Sequence, residues 1–425
     1  KFGLFPSLAV GWRISEENFF KENEALSWIS ALKLKASWGH LGNQSIGNYP
    51  YQSVYALGQN YPFGTNFAQG AAVTTAIDPN IKWEETETID GGIEATFWGG
   101  LLSINASYFT RKTYDILYKP SGSISSVLGQ GISVMNTGKL KNYGWEFEVS
   151  HQNHIGSFSY NINANLSIIK NELQTLGVGN VEQLNGMVGN GSDLFIGYPI
   201  QMYYGYLSDG VFLNDDDIKA WHDQKKVTPN AKPGDIRYKD ISGPDGKPDG
   251  MIDPNYDRVY LGTRIPKFTF GLNLGAEYKG IDLSVLIQGV AGVKGMLNDF
   301  AGYAFRGEGN IQRWQADGRF KPDNPVRYPD YPRVEALGAS SPNTVTSDFW
   351  ILDASYVRLK NIQLGYSLPK KWMQAAKLRG LRFYIQAENP LSWNKYRKGW
   401  DPEQNTDGNY YPILATYTFG VNFNF

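Results

Sequence analysis

The sequence predicts an all-β protein, a transmembrane antiparallel β-barrel of which the chain carries about eleven strands. Three observations point there. Apolar and polar residues alternate with a period of two over many segments. The links between those segments alternate between very short and very long. No run approaches the roughly 18–20 apolar residues of a membrane helix, and the chain is hydrophilic on average.

The strands follow in order. In 4–14, Leu8, Val10, Trp12 and Ile14 alternate with Ala9, Gly11 and Arg13. In 31–39, Leu32, Leu34, Ala36 and Trp38 oppose Lys33, Lys35 and Ser37. Strand 82–97 sets Ile89, Ile93, Ala95 and Phe97 against Asp90, Glu94 and Thr96, and 101–118 follows after a tight turn. In 138–152, Trp145, Phe147 and Val149 oppose Glu146, Glu148 and Ser150. In 157–170, Tyr160, Ile162, Ala164, Leu166 and Ile168 face away from Asn161, Asn163, Asn165 and Ser167. Strands 264–278 and 281–292 repeat the pattern. In 349–367 the apolar phase runs through Val357 and Leu359, then slips to Ile362, Leu364 and Tyr366, which predicts a bulge near Lys360. Strands 380–388 and 413–425 close the series, the last carrying Tyr417, Phe419, Val421, Phe423 and Phe425 on one face.

Segments 40–81, 119–137, 171–263, 293–348 and 389–412 are long and rich in Gly, Pro, Asn and Tyr, whereas "GGL", "NHIG" and "KG" are tight turns. Short turns on one side and long loops on the other mark an outer-membrane barrel. An amide left unpaired in hydrocarbon costs several kcal/mol, so the sheet there must close on itself. Closure of an antiparallel barrel needs an even number of strands. Eleven, starting mid-loop at Lys1, do not close alone, and the expectation is that the front half of the barrel is missing from this chain.

Lys plus Arg (40) nearly cancels Asp plus Glu (41), so a nucleic-acid footprint is excluded. The absence of Cys suits a secreted or envelope protein. The four His show no metal spacing, and no nucleophile elbow, zinc-protease motif or phosphate loop is present. The chain is read as not an enzyme.

Three stretches carry a resemblance: "FGLFPSLAVGWRISEENFF", "PGDIRYKDISGPDGKPDGMIDPNYDRVYLG" with the hairpin after it, and "DASYVRLKNIQLGYSLP" with the aromatic C-terminus. The sequence resembles the SusC/RagA-like TonB-dependent outer-membrane transporters of Bacteroidetes over essentially all its length. The resemblance implies that 1–425 is the C-terminal half of a plugged barrel of roughly 22 strands, with the N-terminal plug domain absent from this chain. It also implies a cell outer-membrane location, a SusD-like surface lipoprotein at the mouth, and TonB–ExbB–ExbD acting through the plug. The cargo it implies is an oligosaccharide or peptide nutrient. No cofactor is required.

Within the expected extracellular loop 233–262, "DGKPDGMIDPNYD" reads like a calcium loop. Asp245, Asp249 and Asp253 stand at positions 1, 5 and 9, and Gly250 and the carbonyl of Met251 at 6 and 7. The motif departs from the family form: Lys247 replaces an oxygen ligand, Asp257 falls one place late, and Asp240 and Ser242 are substitute donors. A hydrogen-bonded Asp/Gly turn is the other reading. Tyr49, Tyr51, Tyr55, Tyr61 and Phe63 crowd one loop and suit sugar rings or peptide side chains, or else pack on one another. Trp221 has the same status. Lys33, Lys35, Glu94, Glu146, Glu148, Glu277, Arg382 and Glu388 are expected in the lumen, paired with each other, with the plug or with substrate. Trp12, Trp38, Phe97, Trp98, Trp145, Tyr278 and Phe425 are expected toward outer-membrane lipid. The competing classes are a secreted β-sandwich, either glycan-binding or a glycoside hydrolase, and a barrel serving as scaffold in an outer-membrane assembly. They differ in what covers the apolar stripe.

Overall fold

The computed structural model describes residues 3–424 except 121–125, 178–180, 183–186, 191, 336–340, 376–377 and 405–407. Among the described residues, eleven strands form one antiparallel sheet in which every strand pairs with its neighbour along the chain. They are β1 (Ser7–Arg13), β2 (Ile29–Asn43), β3 (Glu84–Phe97), β4 (Leu102–Tyr118), β5 (Met135–Ile155), β6 (Phe158–Thr175), β7 (Phe268–Tyr278), β8 (Ile281–Ala291), β9 (Tyr356–Ser367), β10 (Gly380–Asn394) and β11 (Thr416–Asn424). The tightest link is Lys279–Gly280, where both residues have positive φ (50° and 85°), matching the right-handed twist of the strands they join.

Register puts like with like. Trp145 lies between Tyr108 and Ile168, and Ile385 opposite Phe419, so one face is a continuous apolar surface. No second sheet covers that face among the described residues; the remaining sheets are two-stranded ribbons within the links. Phe419 is 69% exposed and Phe423 55%. A sandwich would bury both, so that reading falls. Trp12, Trp38, Trp98, Trp145 and Tyr278 are exposed on the same surface, and Phe97 stacks on Trp28 beside Trp98 at a short-turn end. Phe425 lies outside the described residues.

The slip at Lys360 is a bulge: β9 shifts register against β10 between Leu359 and Asn361, and against β8 between Leu286 and Ile287. The expected bounds are otherwise off in both directions, with β1, β3 and β11 stopping short of their expected long-link ends. Strands β2, β5, β6 and β10 run past their expected ends into the long-link side, where Thr, Asn and Glu replace apolar residues and the alternation fades. One expected strand, 349–367, is divided: Ile351–Asp353 is separated from β9 by Ala354 and Ser355. The strand expected at 264–278 begins only at Phe268, after a bend containing Pro266, and Arg258–Thr263, within the expected link 171–263, forms a strand of its own.

The two longest links fold together. Strands Ser208–Val211 and Ile236–Tyr238, from the β6–β7 link, enclose a core with Tyr331 and Trp350 of the β8–β9 link. Val211, Tyr238, Ile252 and Tyr331 are fully buried there.

Candidate functional site

The polar face of the sheet is laced by short-range pairs. Glu94 receives Lys33 at 3.2 Å and Lys35 at 3.0 Å. Glu148 accepts from Asn105, Asn163 accepts from the Ser150 hydroxyl at 2.7 Å, and Arg382 pairs with Asp282. Lys33, Lys35, Glu94, Glu148 and Arg382 are therefore held by the wall itself. Arg358 was not anticipated. Its buried guanidinium, pointing to the polar face of β9, grips Asp401 at 2.6 and 2.7 Å and Glu403 at 2.7 Å. The β10–β11 link is thus drawn onto the wall. The local sequence offers only an Arg alternating with Val357 and Leu359 on β9; its partners lie 43 and 45 residues away.

At the long-link end, the folded module carries two buried charge networks. Asp235, fully buried, accepts from Arg333, from the Asn343 amide at 2.7 Å and from the backbone N–H of Lys232. Asp217 caps the backbone of Leu213 and binds both Arg237 and Arg327. Burial alone would raise the Asp217 pKa, but the Arg327 hydrogen bonds and the two nearby cations hold it below the ordinary carboxylate value. Trp221 belongs to this frame. Its indole N–H donates to the Tyr238 carbonyl at 2.8 Å, and the Arg237 guanidinium stacks over its ring at 3.7 Å.

The 245–257 segment spends its carboxylates on its own backbone. Asp257, fully buried, accepts from the N–H groups of Ile241, Ser242 and Asp253 at 2.8, 3.1 and 2.6 Å. Its pKa is nonetheless raised, because burial outweighs those bonds. Asp253 is paired with Lys226 and accepts from the Asn255 N–H, which together hold its pKa down against the effect of burial. Asp249 accepts from the Met251 N–H and Asp240 from the Gly250 N–H. Met251 forms a short bridge with Asp223, and Asp245 sits on the exposed turn. No group of three or more His, Asp or Glu is gathered to hold a metal among the described residues. The donors do not fit a calcium cage. The spacing supplies the right residue types, but backbone amides and one ammonium take up oxygens of Asp249, Asp253 and Asp257, and Asp245 stays on the exposed turn.

Tyr55, Tyr61 and Phe63 stand on an arm of two short strand pairs in the β2–β3 link, and Tyr49 and Tyr51 on the turn before it. All five are exposed, and among the described residues their ring contacts are Tyr49 with Tyr51 and Tyr61 with Phe63. The structure does not bring them to Trp221 or to the 245–257 segment in a shared pocket among the described residues.

Residues 1–390 match the family model described as "TonB dependent receptor-like, beta-barrel". The chain belongs to the TonB-dependent receptor β-barrel family. It is 29% identical to TonB-dependent receptor P3 of Formosa agariphila over 456 residues, and 29% identical over 437 residues to TonB-dependent receptor SusC of Bacteroides thetaiotaomicron. Both alignments cover all of this chain but only 42% and 40% of those receptors. The chain therefore spans about two fifths of the length of the curated relatives it matches. Its fold superposes on 42% of a chain of the RagAB peptide importer in the open-open state, with a TM-score of 0.75 and 24% identity over 99% of this chain. As an outer-membrane receptor barrel of this family, the sheet turns its apolar face to lipid and its polar face to the lumen.

Proposed function

We propose that the chain is the C-terminal wall and mouth of a TonB-dependent importer that carries an oligosaccharide or peptide across the outer membrane. The observation supporting this most directly is the contrast between the two faces of one sheet. Lipid solvates the stripe of Trp145, Ile168 and Phe419. The opposite face presents Asn161, Asn163, Asn165 and Asn273, whose amides both donate and accept hydrogen bonds, to a water-filled interior. Such a wall passes polar cargo and performs no bond chemistry. The module and the exposed aromatic arm lie at the long-link end, where cargo arrives, and ring faces suit sugars and peptide side chains alike. A SusD-like lipoprotein caps this mouth, and TonB–ExbB–ExbD acts through a plug supplied by the rest of the protein. Both features are taken from the family and from RagAB.

The test uses the full-length receptor in its own cell. Uptake of fluorescent oligosaccharides and oligopeptides is measured in wild type, in a strain lacking the receptor and in a strain lacking TonB function. Loss of uptake of one class in both deletion strains is expected. Unchanged uptake of every class, with the receptor recovered in an unrelated assembly, overturns the proposal in favour of a scaffold.

A further inference from the structure

On the lipid-facing side of β4, β5 and β6, toward the long-link end, the wall leaves a cavity of about 500 Å³. Tyr108, Trp145 and Ile168 form its apolar wall, and Pro199 and Tyr260 of the mouth module roof it. Lys170 and Lys267 line it, and no carboxylate does. The Lys170 ammonium lies 5.6 Å from the centre of the Tyr143 ring, and Lys141 reaches the same ring at 4.4 Å. Lys267 lies 5.2 Å from the ring of Phe268. Glu172 stands opposite Lys141 in register but is not among the lining residues.

Height matters as much as charge. Phe158 and Tyr278 pair at the short-turn end of β6 and β7. Ile168 is ten positions along β6 from Phe158, which at roughly 3.3 Å per residue and a tilt of about 40° is ~25 Å along the membrane normal. That is the thickness of the apolar band, so the cavity sits where acyl chains end and outer-leaflet headgroups begin. Ring faces and the charge of Glu172, which acts on Lys170, partly compensate the ammonium groups, yet Lys141, Lys170 and Lys267 outnumber that carboxylate and call for an anion.

We propose that this cavity binds a phosphate-bearing lipid of the outer leaflet. An acyl chain lies along Tyr108, Trp145 and Ile168, the phosphate sits between Lys170 and Lys267, and the roof limits the headgroup. The inference rests on the sheet spanning the outer membrane and does not depend on what the barrel transports.

The experiment is native mass spectrometry of the full-length receptor in detergent, titrated with monophosphorylated lipid A or with the same lipid after phosphatase treatment. The phosphorylated form should bind more tightly, and K170Q/K267Q should erase a preference of about thirtyfold, the effect of two interfacial ammonium groups. Ile265→Trp, which fills the cavity and keeps both charges, should weaken binding of both forms. Millimolar inorganic phosphate should not compete. Competition by free phosphate would assign the lysines to a soluble anion and overturn the lipid. Equal binding of the two lipid forms, or full retention by K170Q/K267Q with unchanged heat-modifiable migration, would overturn the site.

Discussion

The wall and the mouth module use the same side chains in opposite ways. On the wall, Phe419, Trp145 and Ile385 are 69%, 47% and 56% exposed; in the module, Ile252, Val211 and Tyr331 are at 0%. Neither arrangement is anomalous, because the two regions have different solvents. Lipid accepts the ring of Phe419 as readily as a protein interior does, so the wall needs no second layer, only complete backbone pairing. The module stands in water and must bury its apolar surface by wrapping two distant links around each other. Polar groups reverse accordingly. The wall places Lys33, Glu94 and Asn163 toward a wet lumen, while the module buries Asp235 and must satisfy it with Arg333 and Asn343.

Three substitutions sharpen this contrast. Asp235→Ala should have the largest effect, about 3 kcal/mol, because it removes the fully buried acceptor that Arg333 and Asn343 share and leaves them the partly exposed Glu335. Limited proteolysis should then cut the β6–β7 and β8–β9 links while heat-modifiable migration of the barrel stays unchanged. A barrel that unfolds along with the module would show that the two regions are one cooperative unit. Phe419→Arg acts on the other region. Opposite Ile385, near the middle of β10, it places a charge at mid-bilayer depth and should cost ~2–4 kcal/mol in urea unfolding from lipid. Phe419→Leu, still apolar, should be close to neutral. Equal costs for Arg and Leu would mean that Phe419 does not face lipid.

The smallest effect is a pH dependence confined to the module. Asp217 has a depressed pKa in the folded protein, so its contribution is fully present above the unfolded carboxylate value near 4. It is lost as pH falls through the lower folded value. Asp253 behaves alike, whereas Asp257, whose pKa is raised, gains stability as pH falls through its folded value toward the unfolded one. Protection of the amides around 213–217, relative to their intrinsic exchange rates, should fall below about pH 4, and Asp217→Asn should flatten that acid response. An unaltered profile in the variant would assign the acid sensitivity elsewhere.

How much was legible follows from how local each signal is. A strand alternates with a period of two because successive side chains point to opposite faces, so the eleven strands, the parity of short and long links, and the bulge at Lys360 can be read from a few adjacent residues. The girdle aromatics belong to the same class. The 245–257 segment marks the limit: spacing placed oxygen-bearing residues correctly but said nothing of where the oxygens point, and the backbone N–H groups of Ile241 and Ser242 had already taken those of Asp257.

By itself, then, the sequence determined the sheet, its apolar and wet faces, and which end carries the long links, since each depends only on neighbours along the chain. The tertiary structure alone decided that the longest links share a core, that Arg358 holds Asp401 and Glu403, and that Asp235 meets Arg333 and Asn343 across 98 and 108 residues. Those contacts lie between segments with no repeating pattern, where a side chain's partner is set by how the chain returns through space and not by its distance along it.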